Sequence, residues 1–276
     1  MKQLLKRLVP QAFRPSSYLQ TLVLERSGGA KYHSTMRTFP RCPEDPFAYK
    51  SLSKWHPRRV AFTLRARGHD WSAANNFRAY ALPLLSPEAY VTREPFDSVD
   101  TAVTPEQTNC LLAALLQTEA LTGPVVEIGS YRGVTTARLA ARTRRRIVAV
   151  DPYIGYGGAD EDLAIFRRRT TPIANIEHWK MTSGEGARKM TGTSPSLAFV
   201  DAVHDYVNTL FDGCVWGELL AVQGCLAFHD TDDPAFPGTR RAVWELSQAG
   251  GFEIKAHVHG LTILQKVPSS HENSRP

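Results

Sequence analysis

The stretch VVEIGSYRGVTTARLA, residues 125–140, begins as a short β-branched run and passes through two glycines into a predicted helix. A buried strand, a tight turn and a helix, in that order, are typical of a parallel α/β sheet. Glu127, Gly129 and Gly133 flank the turn. We expect Gly129 to let the backbone approach a ligand and Gly133 to let the helix begin close to the sheet.

Four further strand-like runs follow this unit, separated by segments long enough for helices. They are RIVAVD, NIEHWK, SLAFVD and GCLAFHD. The chain then closes with FEIKAHVHGLTILQK, in which Gly260 separates two runs and predicts an antiparallel hairpin. The pattern therefore predicts a doubly wound, seven-stranded, mostly parallel α/β sheet of Rossmann-like type with an antiparallel C-terminal hairpin.

A helix precedes the first strand, in the segment TPEQTNCLLAALLQTEA. Thr104 is a suitable N-cap, Pro105 suits the first helical position, and Gln107 has capping-box spacing. We expect this helix to end near Thr122 and Gly123. It opens the predicted sheet domain, residues 101–267.

The flanking regions differ in composition from this domain. Residues 1–100 are rich in Pro, Arg and aromatic residues, which predicts loops with short helices and a cap that helps to select substrate. The polar segment 268–276 is expected to be a disordered tail. The N-terminal MKQLLKRLVPQAF is interpreted as a short terminal helix, with contact to a membrane surface as the less favoured alternative.

Composition excludes several classes of protein. The chain has 276 residues and a formal net charge of +6, but no nucleic-acid-binding motif accompanies the arginine runs 144–146 and 167–169. We expect both runs to be solvated and no nucleic acid partner. No apolar stretch approaches the roughly 20 residues of a membrane span. The cysteines form no CxxC pair, which favours a cytoplasmic protein; they are Cys42, Cys110, Cys214 and Cys225. The sequence leaves open whether the chain forms a homo-oligomer.

The ends of the first two strands indicate a nucleoside ligand. Tyr131 replaces the second glycine of a GxGxxG fingerprint, so a pyrophosphate cradle is not indicated. Asp151 ends the second strand about 20 residues after the glycine turn, where a carboxylate can accept hydrogen bonds from both ribose hydroxyls. A turn and a cap are the simpler interpretations of the two features when each is taken alone.

Acidic and imidazole side chains follow the fourth and fifth strands. Asp201 and His204 come after SLAFV, and His229 and Asp230 come after GCLAF. Since the carboxyl ends of adjacent parallel strands lie side by side, Asp201, His229 and Asp230 are expected to converge on a divalent cation, with magnesium favoured by the carboxylates. His204 is expected about one turn beyond that cation, as the base that takes a proton from a substrate hydroxyl. Helix capping is the alternative.

These motifs together resemble a known family. VVEIGSYRGVTTARLA, AVDPY, LAFVDAVHDY and GCLAFHDTDDPAFPG are similar, in order and spacing, to the motifs of class I S-adenosylmethionine-dependent methyltransferases. Within that class, the motifs resemble those of the metal-dependent small-molecule O-methyltransferases that include the macrolide sugar methyltransferases. The resemblance covers roughly residues 104–266.

The resemblance implies a role for each matching residue. The residues around the methionine part of the cofactor would be Glu127, Gly129, Ser130, Tyr131 and Gly133. Asp151 would hold the ribose, Ser183 would lie near the adenine, and Asp201 would border the cofactor. Asp201 and Asp230 match metal ligands, and His204 matches the general base. The family usually has an acidic residue where this chain has His229, which leaves the identity and presence of the metal open.

The implied reaction is transfer of a methyl group from S-adenosylmethionine to a hydroxyl of a small molecule, with a sugar of a glycoside, glycan or natural product as the expected acceptor. A metal-independent methyltransferase with His204 and Asp230 as an acid–base pair is one alternative. A nicotinamide oxidoreductase is a second, disfavoured by the missing glycine. A binding module without catalytic activity is a third.

Overall fold

The computed structural model describes residues 80–85, 98–154, 158–190, 192–204, 206–233 and 236–268. Most of the expected N-terminal cap and nearly all of the expected tail lie outside these residues. The helices are α1 Pro105–Gln117, α2 Val134–Ala140, α3 Asp160–Thr170, α4 Ser183–Met190, α5 Tyr206–Leu219 and α6 Pro237–Gln248. The strands are β1 Val125–Ile128, β2 Ile147–Val150, β3 Ile176–Trp179, β4 Leu197–Val200, β5 Cys225–Phe228, β6 Phe252–Val258 and β7 Leu261–Lys266.

All seven strands form one sheet in the order β3-β2-β1-β4-β5-β7-β6. The first five strands pair in parallel, and β7 runs antiparallel to both β5 and β6. This arrangement confirms the predicted Rossmann-like sheet and its hairpin. The order reverses between β1 and β4, so their carboxyl ends border the crevice in which doubly wound sheets bind ligands.

The sheet is covered on both faces, which explains the continuously apolar strands. On one face α4, α5 and α6 bury a cluster that includes Val126, Trp216 and Leu246. On the other face a second cluster includes Leu111 of α1, Leu139 of α2 and Phe199 of β4. Every residue of β1, β2, β4 and β5 is buried, as a two-sided parallel sheet requires.

Helix α1 begins as predicted but ends earlier than expected. Thr104 and Gln107 form the capping box, and the last helical residue is Gln117, five residues before Thr122. Arg145 explains the early end, because its guanidinium donates to the carbonyls of Leu115 and Thr118 at 2.5 and 2.8 Å. The prediction that run 144–146 is solvated is therefore wrong for Arg145, whose side chain is 8% exposed.

Short upstream segments attach to the sheet domain. Leu85 forms an isolated antiparallel bridge with His257 of β6. Asp100 accepts from Arg132, in the turn after β1, and from Arg169 of α3, at 2.9 and 2.6 Å. In the described ranges, no helix combines the length and the apolar character needed to cross a bilayer.

Candidate functional site

The turn after β1 is shaped by two glycines with left-handed backbones. Gly129 has φ +85°, and a Cβ there would lie 2.0 Å from the carbonyl oxygen of Asp201. Gly133 has φ +76°, and its Cβ would lie 2.8 Å from the ring of Phe166 in α3. A side chain at either position would therefore meet the backbone after β4 or a side chain of α3. Close approach of a ligand at Gly129 stays a prediction.

Asp151 closes this turn from the end of β2. Its Oδ2 accepts from the N–H of Tyr131 at 3.0 Å, and its Oδ1 accepts from the N–H of Tyr153 at 2.9 Å. Burial raises the pKa of Asp151, although these backbone hydrogen bonds lower it. The carboxylate is 6% exposed and is positioned between two loops at the crevice.

Tyr153 is a member of the site that the sequence interpretation missed. Its hydroxyl donates to the carbonyl of Tyr131 at 2.5 Å and lies 3.3 Å from the hydroxyl of Ser130. The AVDPY motif contains this residue, but only the fold shows that its ring crosses back to the β1 turn. Tyr131 adopts φ +44°, so these contacts hold a strained, non-glycine left-handed residue in place.

Glu127 lies beneath the turn and is almost fully buried. It accepts a hydrogen bond from the hydroxyl of Thr136 in α2. Burial raises the pKa of Glu127 to about 8; the bond from Thr136 opposes the rise, and the charges of Asp201 and Asp151 add to it. Three carboxyl groups thus crowd the ends of β1, β2 and β4. A cationic ligand relieves their repulsion, so the donor set fits a cofactor that carries a sulfonium and an ammonium group.

Ser183 begins α4, but its hydroxyl is engaged with α5. It donates to Asp212 at 2.5 Å and accepts from the indole N–H of Trp216 at 2.9 Å. Both bonds belong to helix packing. An adenine contact from Ser183 therefore stays a prediction.

The ends of β4 and β5 bring together the three expected metal ligands. The Nδ1 of His229 lies 3.1 Å from Oδ1 of Asp230 and 3.5 Å from Oδ1 of Asp201. One ligand atom from each residue lies within 4.8 Å of the others. Asp230 has φ +57°, a left-handed conformation that aspartate tolerates better than most residues. One imidazole nitrogen and two carboxylates are a donor set that fits a divalent cation.

His204 lies closer to this cluster than expected. Its Nε2 is 3.2 Å from Oδ1 of Asp201 and 3.0 Å from Oδ2 of Asp230. His204 therefore contacts both carboxylates directly, and its role as a base stays a prediction. Burial lowers the pKa of His204, but the two carboxylates outweigh this effect and raise it to about 10. The ring also packs on Phe236, with 4.8 Å between the ring centroids.

Residues 126–231 match a family model described as a methyltransferase domain. No curated protein matches the sequence significantly. Among solved structures, that of the O-methyltransferase NovP is similar at 12% identity and TM-score 0.52, covering 61% of this chain and 83% of the other. An O-methyltransferase from Bacillus cereus, in complex with SAH, is similar at 16% identity and TM-score 0.46, covering 62% and 86%. An rRNA methylase from Streptococcus thermophilus is similar at 18% identity and TM-score 0.46, covering 58% and 96%.

The sheet order and the family match agree. They show a methyltransferase domain with a Rossmann-like fold, matched over residues 126–231. The fold of this domain is similar to that of the O-methyltransferase NovP.

Proposed function

We propose that this protein methylates a hydroxyl oxygen of a small molecule with S-adenosylmethionine as donor and a divalent cation as cofactor. The observation that carries the proposal is the convergence of Asp201, His229 and Asp230 with His204 beside the β1 turn. The backbone contact at Gly129 joins this cluster to the turn. Donor and acceptor therefore have adjoining places at the crevice.

The cofactor would lie over the β1 turn. S-adenosylmethionine supplies an activated methyl group on a sulfonium. Glu127 and the turn residues Gly129–Gly133 would surround its methionine part, and Asp151 would accept from its ribose hydroxyls. The crowded carboxyl groups support this placement, because they favour a cationic ligand. In-line transfer then depends mainly on holding the two reactants in line and excluding water.

The acceptor would lie beside the carboxylate and imidazole cluster. Asp201, His229 and Asp230 would hold the cation, which lowers the pKa of a nearby hydroxyl and orients it. His204 would remove the hydroxyl proton, since its Nε2 faces the cluster and its ring is held on Phe236. A bound cation would offset the carboxylate charges that raise the pKa of His204, and so would favour the neutral ring that a base requires. The proposal of a sugar hydroxyl as acceptor rests on the resemblance of the sequence motifs.

The division of roles is tested with two variants and S-adenosylhomocysteine. Asp151→Ala should weaken binding of this product about ten- to hundredfold, because hydrogen bonds to a buried charged group are lost. His204→Ala should bind it as wild type does, but methylate hydroxylated acceptors about 10²- to 10⁴-fold more slowly. Titration calorimetry and a methyl-transfer assay supply the two readouts. Equal loss of binding in both variants would contradict the assignment.

A metal-independent methyltransferase is the second candidate, and one contact favours it. His204 already bridges both carboxylates and can form a histidine–carboxylate pair with Asp230 without a cation. Exhaustive chelation followed by the methyl-transfer assay separates the two functions. Activity that survives chelation favours the pair, and activity restored only by added cation favours the metal-dependent enzyme.

A further inference from the structure

The capping residue of α1 also contacts the metal-ligand cluster. Oε1 of Gln107 accepts from the N–H of Thr104 at 2.8 Å, and Nε2 donates to the carbonyl of His259 at 2.6 Å. These two bonds determine which end of the amide is oxygen and which is nitrogen. Gln107 is 4% exposed, so the assignment applies to a side chain with little freedom to turn.

The oriented amide determines where His229 carries its hydrogen. Nε2 of His229 lies 3.0 Å from Oε1 of Gln107. Because an amide oxygen only accepts, Nε2 of the ring must be the donor. A metal ligand must be the neutral imidazole, which has one N–H, so in that form Nδ1 is left with a lone pair.

That lone pair points into the proposed cation site. Nδ1 of His229 is buried and has no hydrogen-bond partner among the described residues. The nearest acidic oxygens are those of Asp230 and Asp201, at 3.1 and 3.5 Å. A lone pair facing two carboxylates is repulsive unless a positive charge lies between them. The arrangement therefore suits a cation that accepts one nitrogen and two oxygen ligands.

We propose that Gln107 is a positioning residue that fixes His229 in the Nε2–H tautomer and so presents Nδ1 as the nitrogen ligand of the cation. The inference rests on the cation site of the proposed function and adds a residue from α1 to it. It also bears on the choice of metal. A fixed imidazole ligand favours manganese, iron, cobalt or zinc over magnesium, which prefers oxygen.

The same side chain links three elements. It caps α1 through Thr104, contacts the end of β5 through His229, and contacts the β6–β7 turn through His259. Partners in the outer shell of a metal site typically change metal affinity 10- to 100-fold when they are removed. An effect of that size is expected here without loss of the fold.

Binding of Co²⁺ to the full chain tests the inference, with titration calorimetry for affinity and visible absorption for the ligand set. Gln107→Leu removes the acceptor and should weaken Co²⁺ binding about 10- to 100-fold, with a changed spectrum and a smaller preference for Co²⁺ over Mg²⁺. Gln107→Glu keeps an acceptor for both Thr104 and His229 but loses the donor to the His259 carbonyl, and should bind Co²⁺ more tightly than Gln107→Leu does.

Thr104→Ala is the matched control for helix stability. It removes the other half of the capping box and should lower the melting temperature, because an N-cap contributes about 1 kcal/mol. It leaves the bond between Gln107 and His229 in place, so Co²⁺ affinity should not change. Asp201→Asn, which removes a proposed ligand, identifies the measured site as this cluster.

The outcomes separate this inference from the function on which it rests. Unchanged Co²⁺ affinity and spectrum in Gln107→Leu, or an equal loss in Thr104→Ala, overturns the role of Gln107 alone. A wild-type chain that binds no cation, yet binds S-adenosylhomocysteine and methylates a hydroxyl, overturns the cation site and this inference together. A loss in Gln107→Leu that Gln107→Glu restores supports it.

Discussion

Cofactor binding should release a proton from Glu127. This carboxyl group is 2% exposed, and burial, with the nearby charges of Asp201 and Asp151, raises its pKa to about 8. Below pH 8 the group is therefore mostly protonated in the free protein. The ammonium of S-adenosylhomocysteine, placed beside it, favours the carboxylate and should drive the proton into solvent.

The size of the effect follows from that pKa. At pH 7 a group of pKa about 8 is roughly 0.9 protonated, so binding should release close to one proton, and ionising the group costs about 1.4 kcal/mol. Because binding lowers the pKa of this acid, the affinity for the ligand increases with pH. Affinity should rise with pH by about tenfold per unit below pH 8, and should level off above it.

The measurement is titration calorimetry with S-adenosylhomocysteine at pH 7, in buffers that differ in ionisation enthalpy. The observed enthalpy should vary linearly with buffer ionisation enthalpy, with a slope near one proton. Glu127→Gln removes the titrating group and should show a slope near zero. An enthalpy independent of buffer in the wild type, or the same slope in Glu127→Gln, would refute the reasoning.

Two further predictions concern stability, measured as the free energy of unfolding in denaturant. Gly129→Ala and Gly250→Ala impose the same left-handed strain, at φ +85° and +84°, but only the first adds a Cβ that collides with other atoms. Gly250→Ala should therefore lower the free energy of unfolding by about 1–2 kcal/mol, and Gly129→Ala should lower it clearly more. Equal losses would show that the contact with the β4 end does not matter. Arg241→Met should cost about 3–5 kcal/mol, because it removes the charge of Arg241, whose Nε lies 2.8 Å from the buried carboxylate of Glu245. A loss below 1 kcal/mol would contradict that account.

The strands, and the cluster of Asp201, His229 and Asp230, were predictable because both depend on short-range patterns. A continuously apolar run of β-branched residues has few alternatives to a strand buried on both faces. Once β4 and β5 are parallel neighbours, the side chains that follow them must lie at one edge of the sheet. Asp201, His229 and Asp230 were therefore found from the sequence, and the structure brings them together.

The features that were missed depend on contacts between distant residues. The early end of α1 depends on Arg145, and the ring of Phe166 occupies the space that a Cβ at position 133 would need. Gln107 was recognised as a cap from local spacing, but its bond to His229 spans 122 residues of sequence. Local patterns carry no information on such contacts.

The contact between Gly129 and the carbonyl of Asp201 also limits how such a protein can change. Main-chain atoms, rather than side chains, set the spacing between the turn after β1 and the acidic cluster. Exchanging side chains elsewhere in the crevice leaves that spacing unchanged. Adaptation to a larger or smaller acceptor therefore has to come from the segments that border the crevice, while the two halves of the site keep a constant separation.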